Sequence, residues 1–325
     1  MRAWEVSGAM QPPLARERRR DAAIGAVVIT GASSGIGQAT ALALAHTGWL
    51  TFAGVRTDDA AEQLAAAAGA LGVGALLRPL LLDITDDAQI AAAAALVAAE
   101  CRQRGVRLRG VINNGGIAIA GPLELVPLAG LRASLAVNTV GALAVTQAFL
   151  PQLRAGRGRI INLSSVSGRV ASPFLGPYAA SKFALEALSD ALRVELRPWG
   201  IRVILIEPGP IATPIWEKGF ALALGTEDML DTSPYAPFLP SARARFLQAA
   251  VRGQAPELVA ATIVRALTVP RPRARYLLAR GPVGFTLFAR YAPDWLRDLT
   301  FGMALGLRKR AVQGQPVGRT DEEGR

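Results

Sequence analysis

The chain has 325 residues, half of them hydrophobic, and a formal net charge of +11. One cysteine, Cys101, excludes an internal disulfide and suits a reducing compartment. One histidine, His46, argues against a Ser-His-Asp hydrolase and a histidine metal site, and no metal is expected.

The positive charge invites a nucleic-acid reading. Arginine outnumbers lysine thirty-three to three, however, and the arginines are scattered without an aromatic platform. The excess therefore reads as composition, and no nucleic-acid partner is expected. Residues 1–24 mix acids, prolines and an arginine cluster and read as a disordered tail without a signal-peptide core, with Met10 as a second candidate start. No apolar run approaches the ~18 to 20 residues of a membrane span, so the expected location is cytoplasmic.

Strands and helices then alternate. Residues 26–30 form a short apolar strand that ends in Thr30-Gly31-Ala32-Ser33-Ser34-Gly35-Ile36-Gly37, and 38–46 a helix that His46 closes. Strand 50–55 is followed by an alanine-rich helix over 60–70. Strand 76–82 is followed by a long helix over 86–104 with acids in its first turn. Strand 110–112 leads into Asn113-Asn114-Gly115-Gly116, followed by two helical stretches, 128–136 and 138–153. Strand 159–163, helix 178–196 and strand 203–207 complete the regular part, with a helix over 257–267 and an edge strand over 276–278 beyond it. Apolar strands alternating with helices indicate a mainly parallel, doubly wound α/β sheet with helices on both faces. Ligands bind such sheets beyond the carboxyl ends of the strands. The glycine loop, Asp83, Asn113, Ser165 and Pro208-Gly209 all follow strand ends.

Tyr178 and Lys182, at i and i+4, share one face of a helix, so the ammonium can favour the phenolate and make a proton donor usable near neutral pH. In the glycine loop, Gly31 permits a tight turn, Gly35 lets backbone approach a pyrophosphate, and Gly37 allows close helix packing. Second strands of NAD-binding folds end in an acid that takes the ribose hydroxyls. Here Val55 stands in that place and Arg56 follows, a donor fork suited to a 2′-phosphate, with Ser33 as a second donor. NADP(H) is therefore favoured over NAD(H), unless Asp58 and Asp59 neutralise Arg56.

With these motifs the chain resembles the short-chain dehydrogenase/reductase family over residues 26–278. The pattern is Gly31/Gly35/Gly37, Asn113 to Gly116, Asn138, Ser165, and Tyr178/Lys182, with Gly115 where the family usually has alanine. The resemblance implies a Rossmann fold with a seven-stranded sheet and a catalytic domain over 25–280. Ser165, Tyr178, Lys182 and Asn138 would be catalytic, with Asn138 placing a water beside Lys182. Cofactor contacts would come from the glycine loop including Ser34 and Ile36, from Asp83 and Ile84, from Asn114, and from Pro208, Gly209 and Thr213. Residues 210–240 would be a lid over the substrate.

Within the family, the residues from 52 to 56 and around Tyr178 look like the retinol and 17β-hydroxysteroid dehydrogenase branch, which interconverts alcohols and carbonyls on lipids. The residues expected at the substrate are apolar: Ile117, Ile119, Leu123, Val166, Phe174, Leu175, Ile215 and Trp216. A small hydrophobic alcohol or carbonyl is the expected substrate, and a homodimer or homotetramer the expected assembly. Two other readings are a reductase of 3-oxoacyl thioesters on an acidic carrier protein and a non-catalytic NADP(H) sensor. The apolar extension 281–308 could pack on the core, cap the pocket, pair with a second subunit or make peripheral membrane contact. Residues 309–325 read as a polar tail.

Overall fold

The structure is a computed structural model that describes residues 24–215, 233–278 and 291–307. Seven parallel strands form one sheet in the order β3-β2-β1-β4-β5-β6-β7. They are β1 (Ala26–Ile29), β2 (Leu50–Val55), β3 (Leu77–Leu81), β4 (Leu108–Asn113), β5 (Arg159–Leu163), β6 (Arg202–Pro208) and β7 (Arg275–Leu278). The chain winds outward from β1 to β3, returns to β4 and winds the other way. The switch point therefore lies between the carboxyl ends of β1 and β4.

Side chains along each strand alternate between two cores. Val27 and Ile29 of β1 face a core shared with helices α1 (Gly35–His46), α2 (Asp58–Ala70) and α7 (Pro256–Thr268). Ala26 and Val28 face a second core with α3 (Asp87–Gln103), α4 (Leu128–Gly156) and α5 (Gly176–Glu195). Cys101 is buried in this second core, and burial pushes its thiol up to about 11. His46 is exposed at the end of α1.

Three features differ from the sequence reading. The two helical stretches after β4 are one helix of 29 residues, joined through a π turn at Ala136–Gly141 that contains Asn138. By length and composition this helix could cross a membrane, a property hidden when it is read as two pieces. It packs on β4, α3 and α5. The second difference is helix α6 (Leu239–Val251), missed because Pro240 reads as a breaker, although proline is tolerated in a first helical turn. The third is helix α8 (Asp294–Leu305), which gives the apolar extension a definite shape. The expected lid lies outside the described residues over 216–232, as do residues 1–23 of the expected N-terminal tail, the whole tail over 309–325, and residues 281–290 and 308 of the extension.

Candidate active site

Backbone forms the floor of the cleft. Thr30, just after β1, turns its Oγ1 to accept the amides of Asn114 (3.1 Å) and Gly115 (2.9 Å). Asn114 answers by donating its Nδ2 to the carbonyls of Thr30 (2.9 Å) and Gly31 (3.0 Å). These bonds fasten the glycine loop to the loop after β4. Gly31 adopts a φ of +67°, and a Cβ there would lie 2.7 Å from Gly115 Cα. A Cβ on Gly37 would overlap the Gly31 carbonyl oxygen. A bare cradle results, open to an anionic group that needs close approach to amides. At Gly115, Ile84 Cδ1 already sits 3.1 Å from where an alanine Cβ would be, so the departure from the family pattern has a packing partner.

A buried neutral network sets helix α5. Asn113 Nδ2 donates to Thr146 Oγ1 (2.9 Å) and to Asn162 Oδ1 (2.8 Å), and Asn162 passes a hydrogen bond to Ser189 Oγ on α5 (2.8 Å). Asn113 and Asn162 are in register across β4 and β5. Through these side chains β4, α4, β5 and α5 hold one another in fixed positions. Asn138, on the π turn, spends its amide on the backbone of Ile117 (2.8 Å in both directions) and on Ser181 Oγ (2.9 Å).

On α5, Tyr178 is buried, and its hydroxyl is hydrogen-bonded to Ser165. Lys182 stands one turn on, its Nζ donating to the Leu163 carbonyl (2.7 Å) and lying 5.7 Å from the Tyr178 ring centre. Burial raises the Tyr178 phenol above its ordinary value, and the Ser165 hydrogen bond works against that. Burial also brings Lys182 down to about 8, with the Glu186 carboxylate opposing. In this geometry burial, rather than Lys182, is the larger influence on Tyr178.

These groups open on a cavity of about 460 Å³. Every residue expected to bind cofactor or act in catalysis lines it except Asn138, which sits behind the wall, its amide committed to Ile117 and Ser181. Arg56 is exposed, and among the described residues it makes no ion pair with Asp58 or Asp59. Its charge instead helps to hold Asp83 below the usual carboxylate range, after two hydrogen bonds from Thr85.

The apolar set divides. Ile117 and Ile215 line the main cavity. Leu123 and Phe174 line a second, of about 450 Å³, with Phe301 and Leu307 from the end of the chain. Leu175 packs instead with Phe246 and Leu247 of α6. Ile119 is buried and Val166 half-buried, and neither lines either of these two cavities; Trp216 lies outside the described residues. Phe174 holds a φ of 65°, unusual for a bulky side chain, with its carbonyl accepting the Gly121 amide (2.7 Å) and its ring edge-on to Tyr235. The sequence reading passed over Glu186, Glu207, Arg169 and Arg275, which cluster behind Lys182. An acid inside the apolar β6 run was the available signal.

A sequence profile of the family described as short chain dehydrogenase matches residues 25–221. The chain belongs to this family. Retinol dehydrogenase 5 of Mus musculus is 36% identical over 265 residues, 77% of this chain and 79% of the relative. The NADPH-dependent 3-dehydrocapnine reductase of Ornithobacterium rhinotracheale is 32% identical over 279 residues, 84% of this chain and 95% of its own. A crystal structure of a short-chain dehydrogenase from Streptomyces avermitilis superposes with a TM-score of 0.67 at 29% identity, over 87% of this chain and 98% of that one. As a short-chain dehydrogenase with likeness to the retinol dehydrogenase branch, the protein is an oxidoreductase acting on CH–OH groups.

Proposed function

We propose that this short-chain dehydrogenase interconverts an alcohol and a carbonyl on a hydrophobic substrate of steroid, retinoid or lipid type, with NADP(H) as cofactor and Tyr178 as acid–base. The observation that carries this reading is the Ser165–Tyr178 hydrogen bond on the wall of the glycine-loop cavity, with Lys182 buried one turn along. The cradle at Gly31, Gly35 and Gly37 fits a pyrophosphate. Arg56 would take the 2′-phosphate with Ser33, while Asp83, Ile84, Asn114 and the segment holding Pro208, Gly209 and Thr213 would hold the rest. Support for NADP(H) over NAD(H) comes from a buried apolar Val55 at the acid's position, the absence among the described residues of an ion pair between Arg56 and Asp58 or Asp59, and a relative named as NADPH-dependent.

When bound, the nicotinamide gives or takes the hydride. This chain's residues handle the oxygen. Ser165 donates to the substrate oxygen, Tyr178 exchanges its proton, and the Lys182 ammonium favours the phenolate against the effect of burial. Asn138 holds Ile117 and Ser181 in place. The hydrophobic substrate is supported by the apolar wall at Ile117 and Ile215 and by the second cavity beneath α8.

Two surfaces support the finer expectations about partners. Val140 on α4 and Phe183 and Val194 on α5 are exposed apolar residues on the helices expected to pair in a homo-oligomer. Tyr291, Trp295, Leu299 and Met303, spaced by four residues at and along α8, are exposed and suit peripheral membrane contact. Co-sedimentation with anionic vesicles that Trp295→Ser leaves intact would remove that contact.

The testing experiment follows absorbance of the reduced nicotinamide with NADPH and NADH in parallel, against steroids, retinoids, fatty aldehydes and small ketones. Turnover of a lipid carbonyl with NADPH is expected. Turnover confined to polyols or phosphorylated sugars refutes the substrate class, and tight NADPH binding without turnover makes the protein a sensor.

A further inference from the structure

Lys182 shares its helix with a carboxylate that the proposed chemistry does not use. Glu186 follows it at i+4 and is buried. Its Oε2 accepts two N–H groups of Arg275, at 3.2 and 3.0 Å, and its Oε1 has no hydrogen-bond partner. The same guanidinium donates to Asp190 (2.6 Å) and lies 3.2 Å from Oε1 of Glu207. Glu207 is fully buried in β6 and also accepts from Arg169 (2.7 Å). Asp190 pairs in addition with Arg193. Three carboxylates from α5 and β6 thus gather on arginines from β7, from α5 and from the turn after β5. A Cβ on Gly168 would lie 2.6 Å from Ser164 Oγ, 3.1 Å from Glu186 Cγ and 3.2 Å from the Lys182 carbonyl. The stem of Glu186 therefore lies against the turn carrying Ser164 and Ser165 with no side chain between them.

We propose that Glu186 is a positioning residue for the Tyr178–Lys182 pair, its negative charge, attenuated by Arg275, setting the pH at which the pair gives up its proton. The inference rests on the reading of Tyr178 and Lys182 as the acid–base pair. The charged groups arranged about that pair are Glu186 and Asp190 on α5, Arg169 from the turn, Glu207 from β6 and Arg275 from β7, with Arg193 behind Asp190. A carboxylate opposes proton loss from either member of a coupled pair. Neutralising Glu186 therefore lets the first proton leave at lower pH, whichever member carries it. Its effect on Lys182 already runs in that sense, favouring the ammonium against burial. Removing Arg275 has the opposite sign, because it leaves the carboxylates less compensated.

The test reads the pair in two ways, by the pH profile of kcat and by ultraviolet titration of tyrosinate as the difference between each protein and its Tyr178→Phe counterpart. In Glu186→Gln both apparent values fall by about one unit, Glu186→Asp restores them, and Arg275→Met moves them upward. A folded Glu186→Gln protein with the unaltered titration overturns the proposal. So does a shift of the same sign in Glu186→Gln and Arg275→Met, and if the glutamine variant does not fold, the absence of an upward shift in Arg275→Met does so. A protein that turns over no alcohol or carbonyl defeats the proposed function, while the tyrosinate titration still reads the role of Glu186.

Discussion

The two sides of the cleft are built from different materials. Around β1 and β4 the wall is backbone: glycines that admit no Cβ, amides tied to Thr30, and parallel strands between two large cores. Around the second cavity the wall is a few side chains. Phe174, Ala242 and Leu305 form a cluster of three buried residues, with Tyr235, Phe238 and Phe246 at its margin, and one hydrogen bond from Tyr235 to Glu124 (2.8 Å) spans the gap. A backbone wall tolerates almost no change and fits an invariant ligand. A side-chain wall can be altered residue by residue, which suits the part of a site that selects a substrate.

The sharpest way to break this comparison is on the wall of the main cavity. Tyr178→Phe removes one hydroxyl from the wall and keeps the ring, so kcat should fall by about 10² to 10⁴ with cofactor affinity preserved. Rate measurements beside fluorescence titration with NADPH check both halves, and a variant that retains most of its rate removes Tyr178 from catalysis. Next in size are two truncations. Phe149→Ala in the core under β4 should cost about 3 to 5 kcal/mol in denaturant unfolding, whereas Leu305→Ala at the edge of α8 should cost about 2 and raise KM for the carbonyl more than it lowers kcat. Equal costs would mean that the edge at α8 is as firmly built as the core under β4. Arg56→Gln tests the charged side-chain contact proposed on the backbone side. NADPH affinity should drop by roughly 10- to 100-fold, as loss of a charged hydrogen bond implies, and NADH affinity should stay constant. A parallel loss for both cofactors would remove Arg56 as the 2′-phosphate partner.

The same difference explains what could be read in the chain beforehand. Glycine loops and short apolar strands announce themselves locally. The extents of β2 and β5 therefore coincide with the expected 50–55 and 159–163, and the expected cofactor residues lie together on one cavity. The second cavity depends on contacts distant in sequence. Leu123 meets Phe301 and Leu307 across the second cavity, and no local pattern foretells such a meeting. Asn138 was recognisable as a motif, but its place behind the wall follows from a π turn that no spacing rule encodes. Arg275 illustrates the opposite error. Read as one of many scattered arginines, it is the residue on which three carboxylates converge.

The smallest effect concerns Lys182, and it separates burial from function. Burial gives Lys182 a value of about 8 in the folded chain against an ordinary 10.5. Between those values the unfolded chain binds more protons than the folded one, so stability rises as pH rises through the window. Cys101 works the other way above its ordinary 9.0, because the buried thiol keeps a proton that the unfolded chain releases. The range from pH 8 to 9 therefore isolates the lysine. Over that unit the protein should gain roughly 1 kcal/mol in denaturant unfolding, and Lys182→Met, which has no proton to lose, should show a flat profile and greater stability at pH 7. Identical slopes in the two proteins would mean that Lys182 keeps its proton in the folded state. The ammonium would then be held by Leu163 and Glu186 strongly enough to cancel the cost of burial, and the charge beside Tyr178 would persist across the whole working range.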